Sequence, residues 1–156
     1  MEGIMKEINK VLFPVDLSEV SPKVSPWVLT IAKRFNAEIH LLFVARRLEY
    51  LSSIYVTQVS IENFEGELVT GAEKGIEEFA QTYLKEYSAY KTKVVLGDAA
   101  EEILSYINSE RIDLVVIGTH GRKGLERIFF GSVAERVIKQ SPVPVLSVNP
   151  YGVRTP

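Results

Sequence analysis

Leu114-Val115-Val116-Ile117-Gly118-Thr119-His120-Gly121-Arg122-Lys123-Gly124 runs from an apolar stretch into glycines, small polar residues and cations. Gly131-Ser132 follows, and then a helical pattern in Val133-Ala134-Glu135-Arg136-Val137-Ile138. A strand that empties into a glycine loop and then a helix is the sequence form of an anion cradle. Glycines let backbone N–H groups approach phosphate oxygens, and a helix start adds unpaired N–H groups and a partial positive charge. The stretch therefore predicts a phosphorylated ligand. Gly-x4-Gly-Lys-Ser/Thr is absent, and no Gly-x-Gly-x-x-Gly follows the first strand, so a Walker loop and a dinucleotide fold have no support.

Working outward, four more short apolar runs occupy residues 10–16, 38–44, 91–96 and 143–148, with 113–118 as the fourth in chain order. The second and fourth are nearly continuous in apolar character, as expected of strands buried on both faces. Helical patterns lie between them. The first contains Trp27, Leu29, Ile31, Ala32 and Phe35, with Pro22 and Pro26 both possible early helical positions. The second and longest places Leu68, Ala72, Ile76, Phe79, Ala80, Tyr83 and Tyr87 at steps of three and four. The third holds Ala100, Ile103, Leu104 and Ile107 behind a candidate cap, Asp98, and the fourth follows Ser132. This alternation predicts an α/β fold: one domain over residues 1–156, an open parallel five-stranded sheet, right-handed crossovers and helices on both faces.

Ligands in such sheets sit beyond the carboxyl ends of neighbouring strands at a switch point. If Asp16, ending the first strand, shares a site with Gly118, strands one and four are adjacent and the order is 3-2-1-4-5. Strand five, Val143-Pro144-Val145-Leu146-Ser147-Val148, is then an edge. Pro144 lies inside it, which an edge tolerates, and an apolar edge needs covering, so a dimer is expected there. Residues 46–61 connect strand two to the long helix and are too apolar for a plain linker. They read either as a lid or partner surface, or as extra helix turns packed on the domain.

Composition sets the class. The chain has 156 residues, 46% hydrophobic and 24% charged, with net charge −2. That describes a globular protein with one proper core. It argues against a dedicated nucleic-acid binder, which carries a basic excess. With no cysteine, thiolate nucleophiles and zinc–thiolate sites are excluded. No run approaches the ~18 apolar residues of a membrane span, and the first residues lack a signal-peptide core, so a cytoplasmic location is expected.

Taken together, Gly118-x2-Gly121-x9-Gly131-Ser132, set between Leu114-Val115-Val116-Ile117 and Pro142-Val143-Pro144-Val145-Leu146, resembles the universal stress protein family. Val11-Leu12-Phe13-Pro14-Val15-Asp16-Leu17-Ser18, Leu41-Leu42-Phe43-Val44, Gly97-Asp98 and Asp113-Leu114 extend the resemblance over residues 8–148. It implies a Rossmann-like 3-2-1-4-5 sheet and a homodimer paired through the last strand. Members with the complete glycine motif typically bind ATP, and this chain has the complete motif. By matching position, Pro14, Val15 and Asp16 would line the cleft, and Val44 would meet adenine through its backbone. Gly118, His120, Gly121 and Arg122 would surround ribose and phosphates, and Gly131, Ser132 and Val133 would hold phosphates at the helix start. The implied cofactor is ATP, with ADP or AMP as alternatives and Mg or Mn carried by the phosphates. The implied role is a stress-response regulatory or signalling module acting on an unidentified protein partner, without catalytic residues. A slow Mg- or Mn-dependent ATPase and a dimeric scaffold without nucleotide are the competing readings.

Several of these residues have a plainer reading. Ser132-Val133-Ala134-Glu135 fits a capping box, so without nucleotide Ser132 is expected to cap its own helix. Asp16 suits a cap on the first helix or an adjacent turn. In a cleft it would meet ribose hydroxyls, an amine or a bridging cation rather than phosphate. His120 is an ordinary loop histidine with no carboxylate beside it in sequence, and His40 is expected to be structural. Arg122, Lys123 and Arg127 are solvated charges, of which at least one is expected to reach phosphate.

Overall fold

A computed structural model describes residues 3–48, 57–120, 131–152 and 154. Strands and helices alternate along it: β1 (Lys10–Pro14), α1 (Ser21–Phe35), β2 (Glu38–Ala45), α2 (Gln58–Tyr83), β3 (Tyr90–Leu96), α3 (Ala99–Ser109), β4 (Leu114–Gly118), α4 (Ser132–Gln140) and β5 (Val145–Val148). All strand pairs are parallel and the order is β3-β2-β1-β4-β5, the order expected if Asp16 and Gly118 share a site.

The two-residue period of the strands divides the core. On one face Val11, Phe13, Ile39, Leu41 and Val116 pack against Val24, Val28 and Ala32 of α1 and Ile76, Phe79 and Ala80 of α2. On the other, Leu12, Leu42, Val115 and Ile117 meet Ala100, Ile103 and Ile107 of α3 and Ala134 and Val137 of α4. Alternate side chains of one strand thus serve opposite faces, which is why these strands read as unbroken apolar runs. No helix among the described residues is long and apolar enough to cross a membrane.

Element ends show where local chemistry decides. Pro22 sits in the first turn of α1, and Pro26 lies inside the helix. Pro26 has no N–H for the Pro22 carbonyl, so Ser25 Oγ donates to that carbonyl at 2.8 Å and the helix continues. Asn36 closes α1 with φ 54°, a left-handed conformation that asparagine tolerates. α2 starts at Gln58, capped by Thr57, whose hydroxyl accepts the Ser60 N–H at 3.2 Å. It therefore takes the last four residues of the 46–61 connection as helix, while 49–56 lie outside the described residues.

Tyr87 is not on α2, which ends at Tyr83. Its hydroxyl donates instead to the carbonyls of Ala32 and Ala37, tying the chain after α2 to the end of α1. Asp98 caps α3, accepting the Glu101 N–H at 3.0 Å, as expected. Pro144 precedes β5 rather than lying within it. Its carbonyl accepts the Val115 N–H at 3.0 Å, but it has no N–H, so the strand begins one residue later.

Candidate functional site

β1 ends at Pro14, yet Val15 N–H still donates to Leu42 O at 2.9 Å, so the turn begins at Asp16. Val15 is buried and Pro14 half-buried there. Asp16 Oδ1 accepts from Ser18 N (3.0 Å), Ser18 Oγ (2.7 Å) and Ser21 Oγ (2.9 Å). Asp16 N–H donates to Ser21 Oγ at 3.2 Å. One carboxylate oxygen thus organises the whole turn into α1. Asp16 is not the cap of α1, whose N-cap is Val20 with no side-chain bond. Its second oxygen, Oδ2, accepts no hydrogen bond among the described residues.

The tight turn has a conformational cost. Leu17 adopts φ 59°, a left-handed conformation that disfavours residues bearing a Cβ by about 1 kcal/mol or more. The strain is tolerated because the Leu17 side chain packs against the first core. There it lies against Gly75 of α2, where an added Cβ would stand 3.2 Å from Leu17 Cδ1.

Val44 lies near the end of β2. In a parallel strand the peptide groups of alternate residues face the same neighbour. Leu42 O faces β1, while Ala45 O faces β3's end and accepts the Gly97 N–H at 2.9 Å. Val44 N–H and C=O therefore face the β1 side, just past the last β1–β2 ladder bond. They look over the point where Asp16 turns away.

β4 runs beside β1 with Val11 opposite Leu114 and Leu12 opposite Val115; continued in register, this sets Val15 level with Gly118. A Cβ on Gly118 would stand 3.2 Å from Val24 Cγ2 and 3.5 Å from Val20 Cγ1, so a glycine lets β4 pass close beneath the first turn of α1. Thr119 is buried and ties the loop at both ends: its N–H donates to Val148 O (2.9 Å), and its carbonyl accepts the Gly131 N–H (2.6 Å). The chain thus leaves β4 and returns to α4 at one point. Gly121 and Arg122 lie between, outside the described residues.

That second bond overturns the capping box. It fixes Gly131, not Ser132, as the N-cap of α4, and no side chain among the described residues caps the helix. Glu135 N–H donates to Gly131 O at 3.0 Å as the first intrahelical bond, while Glu135 Oε1 receives Lys139 Nζ at 2.8 Å. The N–H groups of Ser132, Val133 and Ala134, in the first turn, have no partner within the helix. Ser132 is exposed and Val133 half-buried at this uncapped end.

His120 Nδ1 lies 3.0 Å from Thr119 Oγ1. Its ring meets Tyr151 edge-on, with centroids 5.5 Å apart, and Lys23 Nζ stands 4.4 Å from the Tyr151 centroid on α1's side. Sequence reasoning missed Lys23, Tyr151 and the Ser18–Ser21 pair. Lys23 and Tyr151 meet only through the fold, so no local signal marks them. The serines were visible as the polar residues after Asp16.

Pro14, Val15, Asp16, Val44, Gly118, His120, Gly131, Ser132 and Val133 therefore all gather at the carboxyl end of the sheet. His40 does not. It is fully buried near the start of β2, with Nε2 2.7 Å from Glu38 Oε1 and Nδ1 2.9 Å from the Tyr106 hydroxyl. A carboxylate only accepts, so Nε2 carries the proton and Nδ1 accepts from Tyr106. Burial pushes the Glu38 carboxyl up, but hydrogen bonds from His40 and Lys91 outweigh it and leave it below the ordinary range. Burial, with Glu110 and Glu38 nearby, pushes the Tyr106 hydroxyl up to about 12, so it stays a donor. Among the described residues no cluster of three or more His, Asp or Glu is arranged to hold a metal ion.

Comparison with known proteins agrees with this architecture. The chain is 34% identical over 153 residues to universal stress protein MJ0531 of Methanocaldococcus jannaschii, covering 90% of this chain and 82% of that one. The solved structure of MJ0577, a universal stress protein of the same organism, matches with a TM-score of 0.81 at 27% identity, covering 96% of this chain and 100% of that one. A universal stress protein in complex with cAMP shares the fold at 19% identity, with a TM-score of 0.59 over 93% of this chain and 99% of that one. The family model described as universal stress protein family matches residues 7–149. With that span, and with the predicted strand order present, the chain belongs to the universal stress protein family.

Proposed function

We propose that this protein binds an adenine nucleotide, ATP with ADP or AMP as weaker alternatives, at the carboxyl end of its sheet. The observation that carries the reading is the start of α4, which no side chain among the described residues caps. Ser132, Val133 and Ala134 present N–H groups with no intrahelical partner, directly behind the loop tied at Thr119. Such donors, reinforced by the helix dipole, suit phosphate oxygens. At the other end of the cleft the Val44 peptide group offers one donor and one acceptor, the pattern an adenine edge pairs with. Between them Asp16 has one oxygen available for ribose hydroxyls, which a carboxylate accepts from readily. Gly121 and Arg122 complete the loop's part in this reading. Mg or Mn would accompany the phosphates. The fold accepts adenosine phosphates in at least one other protein, the one solved with cAMP.

The output is regulatory, through dimer and partner contacts. The two sheet edges differ in a way that favours pairing at β5. The β3 edge carries Lys91 and Lys93, charges that keep strands apart, whereas Val145-Leu146-Ser147-Val148 carries none and leaves Leu146 exposed. Calorimetry with ATP, ADP and AMP tests the binding: saturable heats with ATP are expected, and no binding at millimolar nucleotide would sink the reading.

A further inference from the structure

We propose that Lys23, held in place by the Tyr151 ring, selects the longer phosphate chain at the nucleotide site; this rests on the nucleotide reading above. After β5 the chain folds back. Asn149 Oδ1 accepts the Tyr151 N–H at 3.0 Å and the Asn149 carbonyl accepts the Gly152 N–H at 3.1 Å. This turn brings Tyr151 to the end of β4, against His120 on one side and under the Lys23 ammonium on the other. Lys23 belongs to the α1 turn whose Val20 and Val24 flank Gly118. Its ammonium therefore stands at the end of the sheet where the glycine loop begins.

Lys23 forms no ion pair among the described residues. Its cation rests on a ring face rather than on a carboxylate. An aromatic face attracts an ammonium without neutralising it. A lysine left free samples many rotamers, and ordering it on binding is unfavourable. Tyr151 restricts that sampling beforehand, so the charge remains available to a ligand at lower entropic cost. Nearest the helix start, α4 already supplies backbone donors to one phosphate. Lys23 comes from α1, on the opposite face of the sheet, so it adds charge where a second or third phosphate extends away from α4. A monophosphate has no group to reach it. Tyr151 acts through Lys23 and is a positioning residue.

Binding of ATP, ADP and AMP to the full chain at fixed ionic strength tests this. Lys23→Gln is expected to weaken ATP about tenfold, the loss of one hydrogen bond to a charged group, with AMP changed less than about twofold. Lys23→Arg should keep wild-type discrimination. Tyr151→Ala should lose about threefold for ATP, the size of an exposed cation–π contact, while Tyr151→Phe, which keeps the ring, should behave as wild type. Lys23→Gln leaving the ATP-to-AMP ratio unchanged overturns the proposal. Failure of the unmodified protein to bind any adenine nucleotide is a separate result and overturns the nucleotide reading on which the proposal stands.

Discussion

The carboxylate of Asp16 gives one oxygen to the turn and leaves the other without a hydrogen bond among the described residues. Oδ1 holds Ser18 and Ser21 and so shapes the turn that puts Leu17 at positive φ. Both of the expected roles for this residue, turn former and cleft residue, are therefore compatible, which a linear reading has no means of showing. His40 was legible as structural from its place in a strand. Its partner Tyr106 was not, because it comes from α3, which the fold packs on the face of the sheet to which His40 points. The arrangement has a measurable consequence. Tyr106→Phe leaves the buried Nδ1 of His40 without a donor and should cost about 1–3 kcal/mol. Urea unfolding measures it, and a midpoint equal to wild type would contradict the assigned tautomer and bond.

At the scale of elements, the start of α4 is where reading by sequence failed. Gly131 and Ser132 are both acceptable N-caps, and the local pattern Ser132-x-x-Glu135 favours serine. A tertiary bond, Gly131 N–H to Thr119 O, decides for glycine. The result predicts opposite effects from one substitution. Ser132→Asp places a carboxylate in the first turn of an uncapped helix. It should raise the stability of the ligand-free protein by about 0.3–1 kcal/mol through the dipole. The same charge repels phosphate, so the thermal shift on adding ATP should largely vanish. A variant that melts lower, or that keeps the full ATP shift, would count against the placement.

The link between α3 and α4 behaves more simply. The Asp98 carboxyl is held below its ordinary range, first by the Glu101 N–H, against a smaller opposing effect of burial, and then by Arg136. Its folded-state pKa is depressed, so its stabilisation is present above the unfolded value. It is lost as pH falls through the folded value, below about pH 4. Asp98→Ala should cost about 1 kcal/mol at neutral pH. Asp98→Asn, which keeps an acceptor for the cap but loses the charge facing Arg136, should cost less and flatten the acid limb of a pH–stability profile. An identical acid limb in wild type and Asp98→Asn would remove the carboxylate's assigned part.

For the whole molecule, strand order was readable because chemistry constrained topology. Asp16 and the glycine loop have to meet if they form one site, and only β1 beside β4 allows it. β5 is the edge strand expected, but not because of Pro144's missing donor: the Pro144 peptide group faces β4, and the proline is accommodated because the strand begins one residue after it. Val115 N–H reaches Pro144 O and Thr119 N–H reaches Val148 O, so even-numbered residues of β5 face β4. The peptide groups of Val145 and Ser147 face outward. Ser147→Pro therefore removes an outward donor without touching the β4 ladder. It should convert the proposed dimer to monomer by light scattering with little change in circular dichroism. A dimer that persists would place the interface elsewhere.

The central claim is that one cleft joins the Val44 peptide group, Asp16 and the uncapped start of α4 around an adenine nucleotide. Titration of the nitrogen-15-labelled protein with ATP, followed amide by amide, tests it most directly. The account predicts the largest saturable shifts together at Val44, Gly118, Ser132 and Val133, with one dissociation constant. Shifts confined to other parts of the surface, or no shifts at those four amides at saturating ATP, would contradict it.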